Sequence, residues 1–464
     1  LPCVGAPRRT WERQRFRHVP TSITVRNDIT VGDRAVGTVN GIEILISLVA
    51  AGRDPTAETN ANLHKALGMV QRRFSGRYRH SRFCLLTPLD NALEYAAARF
   101  FASKGWKIYV TPSADSADGS SRAQRVSSDS PGADVCALPE SVVALREPRE
   151  ISRSDLCAGA LCRYGHALIA IGETDAAQLQ GFAGQVLRTW RTRGFAYGDE
   201  QLDDDAGALL PLPSVGPAVF VRATAPPKTP ARKLVTWLDM LPVAGESARA
   251  EDYGVRLSRS HDALVGLDLL NADLAKSSER RIRACAATVL RPDAVAQLGE
   301  APLTKTQLDL FGRADDFAIV EKSVLTRFSY LYAIAAPASV LAFEALSARG
   351  QEEPAWGLIA YAAIIGLVLF TAIVLLSVQS LARMLQSRVL AELLRVQMFW
   401  RIAGLPTRLE SSLRRWTPHE MFSAIPVSRW LDFLPHTRPQ PGSVNVAFAE
   451  QQWLGLSVET MGSP

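Results

Sequence analysis

The sequence predicts an α/β domain with a doubly wound parallel sheet, followed by a helical connector, a transmembrane hairpin of two helices and an amphipathic helix. Two observations predict this arrangement. Between residues 42 and 225, short apolar segments rich in β-branched residues alternate with segments of helical period. Further along, the segment from Trp356 to Val378 has no charged residue, although 21% of the chain is charged. As a helix it would cross the roughly 30 Å hydrocarbon core of a bilayer.

Several apolar segments in the α/β region have the length and composition of buried strands. A second helix should run from about Asn91 to Lys104 and stop at Gly105, and a further helix is expected near 175–193. Buried strands that alternate with helices form parallel sheets, so we predict a Rossmann-like, doubly wound topology. The predicted strands are IEILISLVA, FCLLTP, KIYVTP, HALIAIG and AVFVRAT.

Candidate ligand residues follow the predicted strands, because such sheets bind ligands at the carboxyl ends of their strands. Glycine lets a ligand approach the backbone, arginine can pair with phosphate, and Asp or Asn can begin a helix. The simpler interpretation of each residue is a turn or a helix cap. The candidates are Gly52, Arg53 and Asp54 after the first strand, Thr87, Asp90 and Asn91 after the second, Gly172 and Glu173 after the fourth, and Gly181 and Gly184 near the next helix start.

Several segments together resemble bacterial SLOG proteins fused to a two-transmembrane effector module. LVAAGRDP is similar to the family's Gly-His-Arg turn, LLTPLDNALEYAA to its Gly-Ala-Asp segment, and HALIAIGE to the strand before its Gly-Gly-Thr loop. ADDFAIVEK and AELLRVQMFWRIAGL are similar to the helices before the first span and after the second. Such proteins are associated with SMODS nucleotidyltransferases and cyclic-nucleotide defence systems, so the resemblance implies a nucleotide-derived ligand.

The chain departs from this family at three places. Ala51 stands where a histidine is expected, residues 89–91 replace Gly-Ala-Asp only in part, and GFAGQVL lacks the glycine pair and the threonine. Phe182 in that last segment would hinder the close backbone approach that a phosphate cradle needs. A related branch of hydrolases carries a fuller glycine-rich loop with a nearby catalytic glutamate. That pattern is missing from this sequence, so no catalytic residue is predicted.

Two apolar segments predict the transmembrane hairpin. The stronger is 356–378, and the weaker, 328–346, contains Pro337 and Glu344. The alternative for both is a buried core hairpin. Small residues four apart in both segments predict close packing of the two helices. These residues are Ala335, Ala338, Ser339 and Ala342 in the first segment and Ala362 and Gly366 in the second.

The basic residues around the hairpin predict its orientation. Three lie on each flank and one lies in the loop, so the positive-inside rule places both flanks in the cytoplasm. We therefore expect a multi-pass protein of the inner membrane with both termini cytoplasmic. The flanking residues are Arg313, Lys322 and Arg327 before the hairpin and Arg383, Arg388 and Arg395 after it, with Arg349 in the loop.

An apolar stripe after the hairpin predicts an amphipathic helix that ends near Pro406. Three placements fit this stripe, which are the cytoplasmic leaflet, a neighbouring subunit and the connector. The stripe consists of Leu385, Val389, Leu393, Val396, Trp400 and Ala403.

Composition restricts the range of partners. The net charge of +6 is spread along the chain, so no binding of DNA or RNA is expected. The six cysteines have no metal-ligand spacing, so neither a metal site nor another cofactor is predicted. The predicted segments are a basic, disordered tail (1–40), a SLOG-like nucleotide-sensing domain (41–225), a linker and helical connector (226–326), the hairpin (327–380), the amphipathic helix (381–405) and an irregular tail (406–464).

Three functional hypotheses follow from these predictions. The first is an effector whose nucleotide-sensing domain controls assembly of hairpins in the bilayer, which requires a homo-oligomer because two helices enclose no pore. The second is a membrane-anchored enzyme that acts on nucleotides, with Arg53, Asp90 and Glu173 as candidates for the chemistry. The third is a scaffold whose ligand pocket has decayed.

Overall fold

A seven-stranded sheet forms the centre of the α/β part of the chain. The structure is a computed structural model. It describes residues 41–52, 54–113, 119–139, 152–173, 175–192, 216–226, 229–238, 263–289, 302–349, 355–376, 378–402 and 424–437. The strands are β1 (Ile44–Ala51), β2 (Phe83–Thr87), β3 (Lys107–Val110), β4 (Val135–Ala137), β5 (Ala167–Gly172), β6 (Ala218–Arg222) and β7 (Val235–Trp237).

The sheet is mostly parallel, which confirms the predicted α/β class. Its strand order is β4-β3-β2-β1-β5-β6-β7. The first six strands pair in parallel, and β7 joins β6 in the antiparallel direction. From β1 the chain winds outward to β4 and then returns to place β5 on the other side of β1. β4 and β7 were not predicted, because three-residue edge strands are too short to produce a recognisable pattern.

Five helices connect the parallel strands and cover both faces of the sheet. Right-handed crossovers put α1 to α3 on one face and α4 and α5 on the other. In agreement, α1 packs on α2, α2 on α3, and α4 on α5. The helix predicted near 175–193 is instead a 3-10 turn at Ala176–Gln178 followed by α5. The helices are α1 (Ala57–Arg77), α2 (Ala92–Ala102), α3 (Gly119–Asp129), α4 (Arg153–Tyr164) and α5 (Gly181–Thr192).

Helical structure continues after β6 and leads into one very long helix, α9. α9 (Pro302–Arg349) has 48 residues and contains Pro337. Its first part is buried against α8 and the helices that follow, whereas the part beyond Ala318 is mostly exposed. The last part of the predicted connector and the first apolar segment thus lie on one continuous helix. The preceding helices are α6 (Ala231–Leu234), α7 (263–274) and α8 (Glu279–Ala286).

Three helices follow α9. They are α10 (Ala355–Leu376), α11 (Val378–Ile402) and α12 (Ala424–Phe433). α11 covers most of the predicted amphipathic helix, but its buried face is rotated from the predicted stripe, so that Leu390 and Leu394 are buried and Leu385 is 41% exposed. This face packs on α9 and α12, so the helix is placed against the end of the connector.

α12 lies in the part of the chain where an irregular tail was predicted. Phe433 at its end contacts the ring of Tyr109 in β3 (centroids 5.1 Å apart) and the ring of Tyr164 in α4 (5.4 Å). Arg429 donates from Nη1 to the carbonyl oxygen of Gly165 (3.4 Å). The helix therefore covers sheet surface that α4 and α5 leave open. The short apolar pattern of α12 does not predict a helix, because the surface that stabilises this helix is distant along the chain.

Among the described residues, one helix is long and apolar enough to cross a bilayer, within Leu303–Ser347 of α9. The apolar stretch Leu358–Ile373 of α10 is shorter. α9 and α10 contact each other through the ring pairs Phe328 with Phe370 (6.2 Å) and Phe343 with Tyr361 (6.0 Å).

The small residues do not mediate the contact between α9 and α10 in the way the sequence predicts. Ala335 is buried, but Ala362 and Gly366 are exposed, and a Cβ at Gly366 would have no atom within 4 Å. The two aromatic pairs and the buried Ala335 lie at this contact, whereas the small residues of α10 do not. The small-residue face of α10 is consequently open to solvent or lipid.

Candidate ligand site at the switch point of the sheet

The sheet reverses its winding direction between β1 and β5. These strands are direct neighbours, with Ala51 opposite Gly172, and their connections leave in opposite directions. In open α/β sheets the crevice at this switch point is the usual ligand site. Gly52 and Glu173, which follow the two strands, therefore lie where the sequence analysis expected ligand residues. Arg53 lies outside the described residues.

Gly52 and Glu173 are close neighbours at this position. A Cβ on Gly52 would lie 2.8 Å from Cδ1 of Leu93, 3.1 Å from Cγ of Glu173 and 3.2 Å from its Oε1. Glycine is favoured here by its φ of +158°, which side chains disfavour, and by the close approach of the Leu93 and Glu173 side chains. The carboxyl group of Glu173 is thus held at the switch point. Asp54, three residues after β1, is exposed.

The turn after β2 is held by its own polar groups. Thr87 is buried, and its carbonyl oxygen accepts a hydrogen bond from Thr111 N (2.9 Å). Its hydroxyl accepts a long hydrogen bond from Leu89 N (3.4 Å). Leu89 has φ of +57°, a left-handed conformation that favours glycine. Asp90 forms an ion pair of 2.5 Å with Arg122 of α3, so its carboxylate already has a cationic partner.

Asn91 is the N-cap of α2, the simpler of its two interpretations. Its Oδ1 accepts from Glu94 N (2.9 Å), and its Nδ2 donates to the carbonyl oxygen of Ala50 (2.8 Å). Both ends of the amide are therefore used to join the start of α2 to the end of β1.

Glu94 is a buried residue of this site that the sequence analysis missed. Its Oε1 accepts from Ala50 N (2.9 Å) and its Oε2 from Asp90 N (2.7 Å). Burial raises the pKa of Glu94 to about 8, and the hydrogen bonds from the backbone oppose this rise. The spacing Asn-x-x-Glu at 91–94 is that of a capping box and could have drawn attention to it.

The three glycines after β5 have different roles. A Cβ on Gly172 would lie 2.7 Å from Leu179 Cδ1, and one on Gly184 would lie 2.2 Å from the carbonyl oxygen of Leu179. Both therefore serve close packing around Leu179. Gly181 has φ of +63° and open space around its Cβ position, so the chain conformation at the start of α5 is what favours glycine there.

Charged groups at this edge of the sheet are largely paired within the chain. Arg222 at the end of β6 forms an ion pair with Asp175, just as Arg122 does with Asp90. Among the described residues, no cluster of His, Cys, Asp or Glu is suited to hold a metal ion. The prediction that an arginine at the switch point meets phosphate depends on Arg53.

A groove of about 1010 Å³ runs along α2. None of the predicted site residues lines it. His64, Tyr95 and Arg99 are among its lining residues. Arg99 is 3.6 Å from Asp129, and the hydroxyl of Tyr95 also donates to this carboxylate.

Comparisons with protein-family models, with curated proteins and with solved structures found no match for this chain.

Proposed function

We propose that this chain is a membrane-anchored, nucleotide-sensing effector in which a SLOG-like α/β domain controls the assembly of two-helix hairpins in the membrane. The continuity of α9 is the observation that carries this proposal. One helix joins a buried segment packed in the connector to an apolar segment that is exposed. A movement of the connector would displace the apolar segment with it.

The exposed apolar surface of α9 and α10 supports the membrane placement. Ile334 of α9 and Ile359 of α10 are 70% and 69% exposed. Each Å² of apolar surface left in water costs about 25 cal/mol relative to burial, and lipid tails remove this cost. The proposal places both helices across the inner membrane, with both termini cytoplasmic, on the basis of the arginine and lysine asymmetry.

The switch point supports ligand binding by the α/β domain. Gly52 and Glu173 lie at the position where open α/β sheets bind ligands. The left-handed backbone at Leu89 also fits the resemblance, because the related segment of SLOG proteins has glycine there. In this proposal the ligand is nucleotide-derived, and Arg53 pairs with its phosphate.

A panel of cyclic and linear nucleotides, added to the whole chain in detergent, tests the proposed function. We expect one class of nucleotide to raise the melting temperature and to remain chemically unchanged in product analysis. Failure of every nucleotide to shift the melting temperature would contradict nucleotide sensing and favour the scaffold. Arg53→Ala should weaken binding of the active nucleotide about tenfold or more, since a charge-assisted contact contributes roughly 1.5 to 3 kcal/mol.

A membrane-anchored enzyme is the second candidate, and the position of Glu173 favours it. A carboxyl group at the switch point is placed to act on a bound ligand. In this case the product analysis would show turnover. Turnover should then be lost in Glu173→Gln, whereas nucleotide binding should persist.

A further inference from the structure

Two exposed cations lie where α9 leaves the folded core. The continuously buried part of the helix ends at Ala318, and Ile319 is already 52% exposed. Lys322 and Arg327 follow, and both are exposed. Within the described part of the chain, neither side chain has an acidic group within ion-pair distance. These two residues therefore present positive charge to their surroundings.

Neighbouring arginines differ because acidic side chains of the connector already neutralise them. Arg313 pairs with Glu279 at 2.9 Å, and Arg388 of α11 pairs with Asp315 of α9 at 2.6 Å. In such an ion pair the two charges neutralise each other, so the pair attracts a further anion only weakly. Among the described residues of α9 from 319 to 327, the positive charge without an acidic partner is therefore that of Lys322 and Arg327.

The position of the two cations along α9 matches the headgroup layer of a bilayer. If the hydrocarbon core begins at Phe328, Arg327 lies at its border and Lys322 lies about 8 Å further out along the helix. The headgroup layer of one leaflet is roughly 5 to 8 Å thick. Tyr330, just inside this border, is 69% exposed, as expected of an aromatic residue in the interfacial belt.

We propose that Lys322 and Arg327 bind the phosphate groups of anionic phospholipids in the leaflet nearest the α/β domain. Charge complementarity carries this inference, since two cations without carboxylate partners face a layer of phosphates. The inference rests on the membrane placement in the proposed function. If it is correct, lipids with anionic headgroups are preferred over neutral lipids next to the chain.

Lipid selectivity of the whole chain, reconstituted in nanodiscs, tests the inference. Electron paramagnetic resonance measures the fraction of spin-labelled lipid whose motion is restricted at the protein surface. This fraction is compared between spin-labelled phosphatidylglycerol and spin-labelled phosphatidylcholine. We expect a preference for phosphatidylglycerol of about fivefold per cation. The preference should fall stepwise in Lys322→Gln and in the double variant Lys322→Gln/Arg327→Gln, and high salt should weaken it in the natural chain.

Lys305 supplies a matched control on the same helix. It is exposed and lies about 26 Å from Lys322 along α9, so Lys305→Gln removes one positive charge outside the headgroup layer and should keep the full preference. The charge-conserving variant Lys322→Arg/Arg327→Lys should also keep it, even if the neutral double variant inserts poorly.

The failure of this inference is distinguishable from the failure of the membrane placement. A chain that does not float with vesicles of either lipid composition contradicts the membrane placement itself. A chain that floats with both compositions but shows equal selectivity in the natural and the neutral double variant contradicts only the role of Lys322 and Arg327. Loss of the preference in Lys305→Gln would likewise overturn it, because the charge would then act through the whole molecule.

Discussion

The side chain of Glu94 joins the carboxyl end of β1 to the start of α2. Its two oxygens accept hydrogen bonds from Ala50 N and Asp90 N, and Asn91 adds a third link to β1 through the carbonyl oxygen of Ala50. These contacts tie the end of β1 to the start of α2 next to Gly52. At the scale of single residues, the site is built from buried polar groups and close glycine contacts.

Glu94 should make the stability of the chain depend on pH. Burial raises its pKa from an ordinary value of 4.5 to about 8, so the folded state binds its proton more tightly than the unfolded state. Its contribution to stability is therefore full below about pH 4.5 and is lost as the pH rises through 8. The melting temperature of the natural chain in detergent, relative to that of Glu94→Gln, should fall between pH 5 and pH 8.5.

Glu58 provides the control for this pH dependence, because it is an exposed glutamate in the first turn of α1. Glu58→Gln should follow the natural chain at every pH. A melting temperature of the natural chain that rises relative to that of Glu94→Gln as the pH increases would instead mean that the two backbone N–H groups keep the Glu94 carboxylate ionised.

Gly52→Ala should destabilise the chain by about 1 to 3 kcal/mol, because the added methyl group meets Leu93 Cδ1 at 2.8 Å. Gly159→Ala is the matched change, since it lies inside α4 and its Cβ would have no atom within 4 Å. In a helix this substitution should stabilise by roughly 0.5 to 1 kcal/mol. Urea unfolding in detergent measures both, and equal effects of the two changes would refute the close contact at Gly52.

At the scale of elements, α9, α11 and α12 link the apolar helices to the sheet. Nε2 of Gln307 in α9 donates to Oε1 of Gln397 in α11 (2.7 Å), and Nε2 of Gln397 donates to the carbonyl oxygen of Leu431 in α12 (2.5 Å). α12 in turn packs on the sheet through Phe433. A chain of direct contacts thus runs from β3 to the helix that enters the proposed membrane span.

Phe433→Ala should lower the free energy of unfolding by about 3 to 5 kcal/mol, because the ring is buried between Tyr109 and Tyr164. Leu269→Ala serves as the control, since Leu269 is 52% exposed and such surface changes stay within about 0.5 kcal/mol. Denaturation monitored by circular dichroism compares the two. If Phe433→Ala unfolds like Leu269→Ala, α12 does not dock on the sheet.

For the whole molecule, the combination of an α/β domain with two exposed apolar helices is what favours an effector. Two helices enclose no pore, so a membrane-perturbing state needs several copies of the chain. In the proposed function, the exposed small residues of α10 around Ala362 and Gly366 would allow close helix contacts between copies.

Gly366→Leu should reduce assembly without reducing insertion, because it fills the open face of α10 and keeps the helix apolar. Cross-linking in membranes should show fewer oligomers, and any depolarisation of cells that express the natural chain should disappear. Leu369→Ile changes another exposed position of α10 while it keeps the volume, and should have no effect. Unchanged depolarisation in Gly366→Leu would contradict assembly through this face.

Local composition was enough to predict the main strands, the cap of α2 at Asn91 and the apolar segments of α9 and α10, because burial of a continuous apolar run depends mainly on the run itself. The tertiary structure decided what depends on distant partners. It placed β4 and β7 at the sheet edges, docked α12 beside Tyr109, turned Glu94 into a buried link and paired Arg388 with Asp315. Each of these features is stabilised by groups far away in the sequence, and local propensity does not account for such contacts.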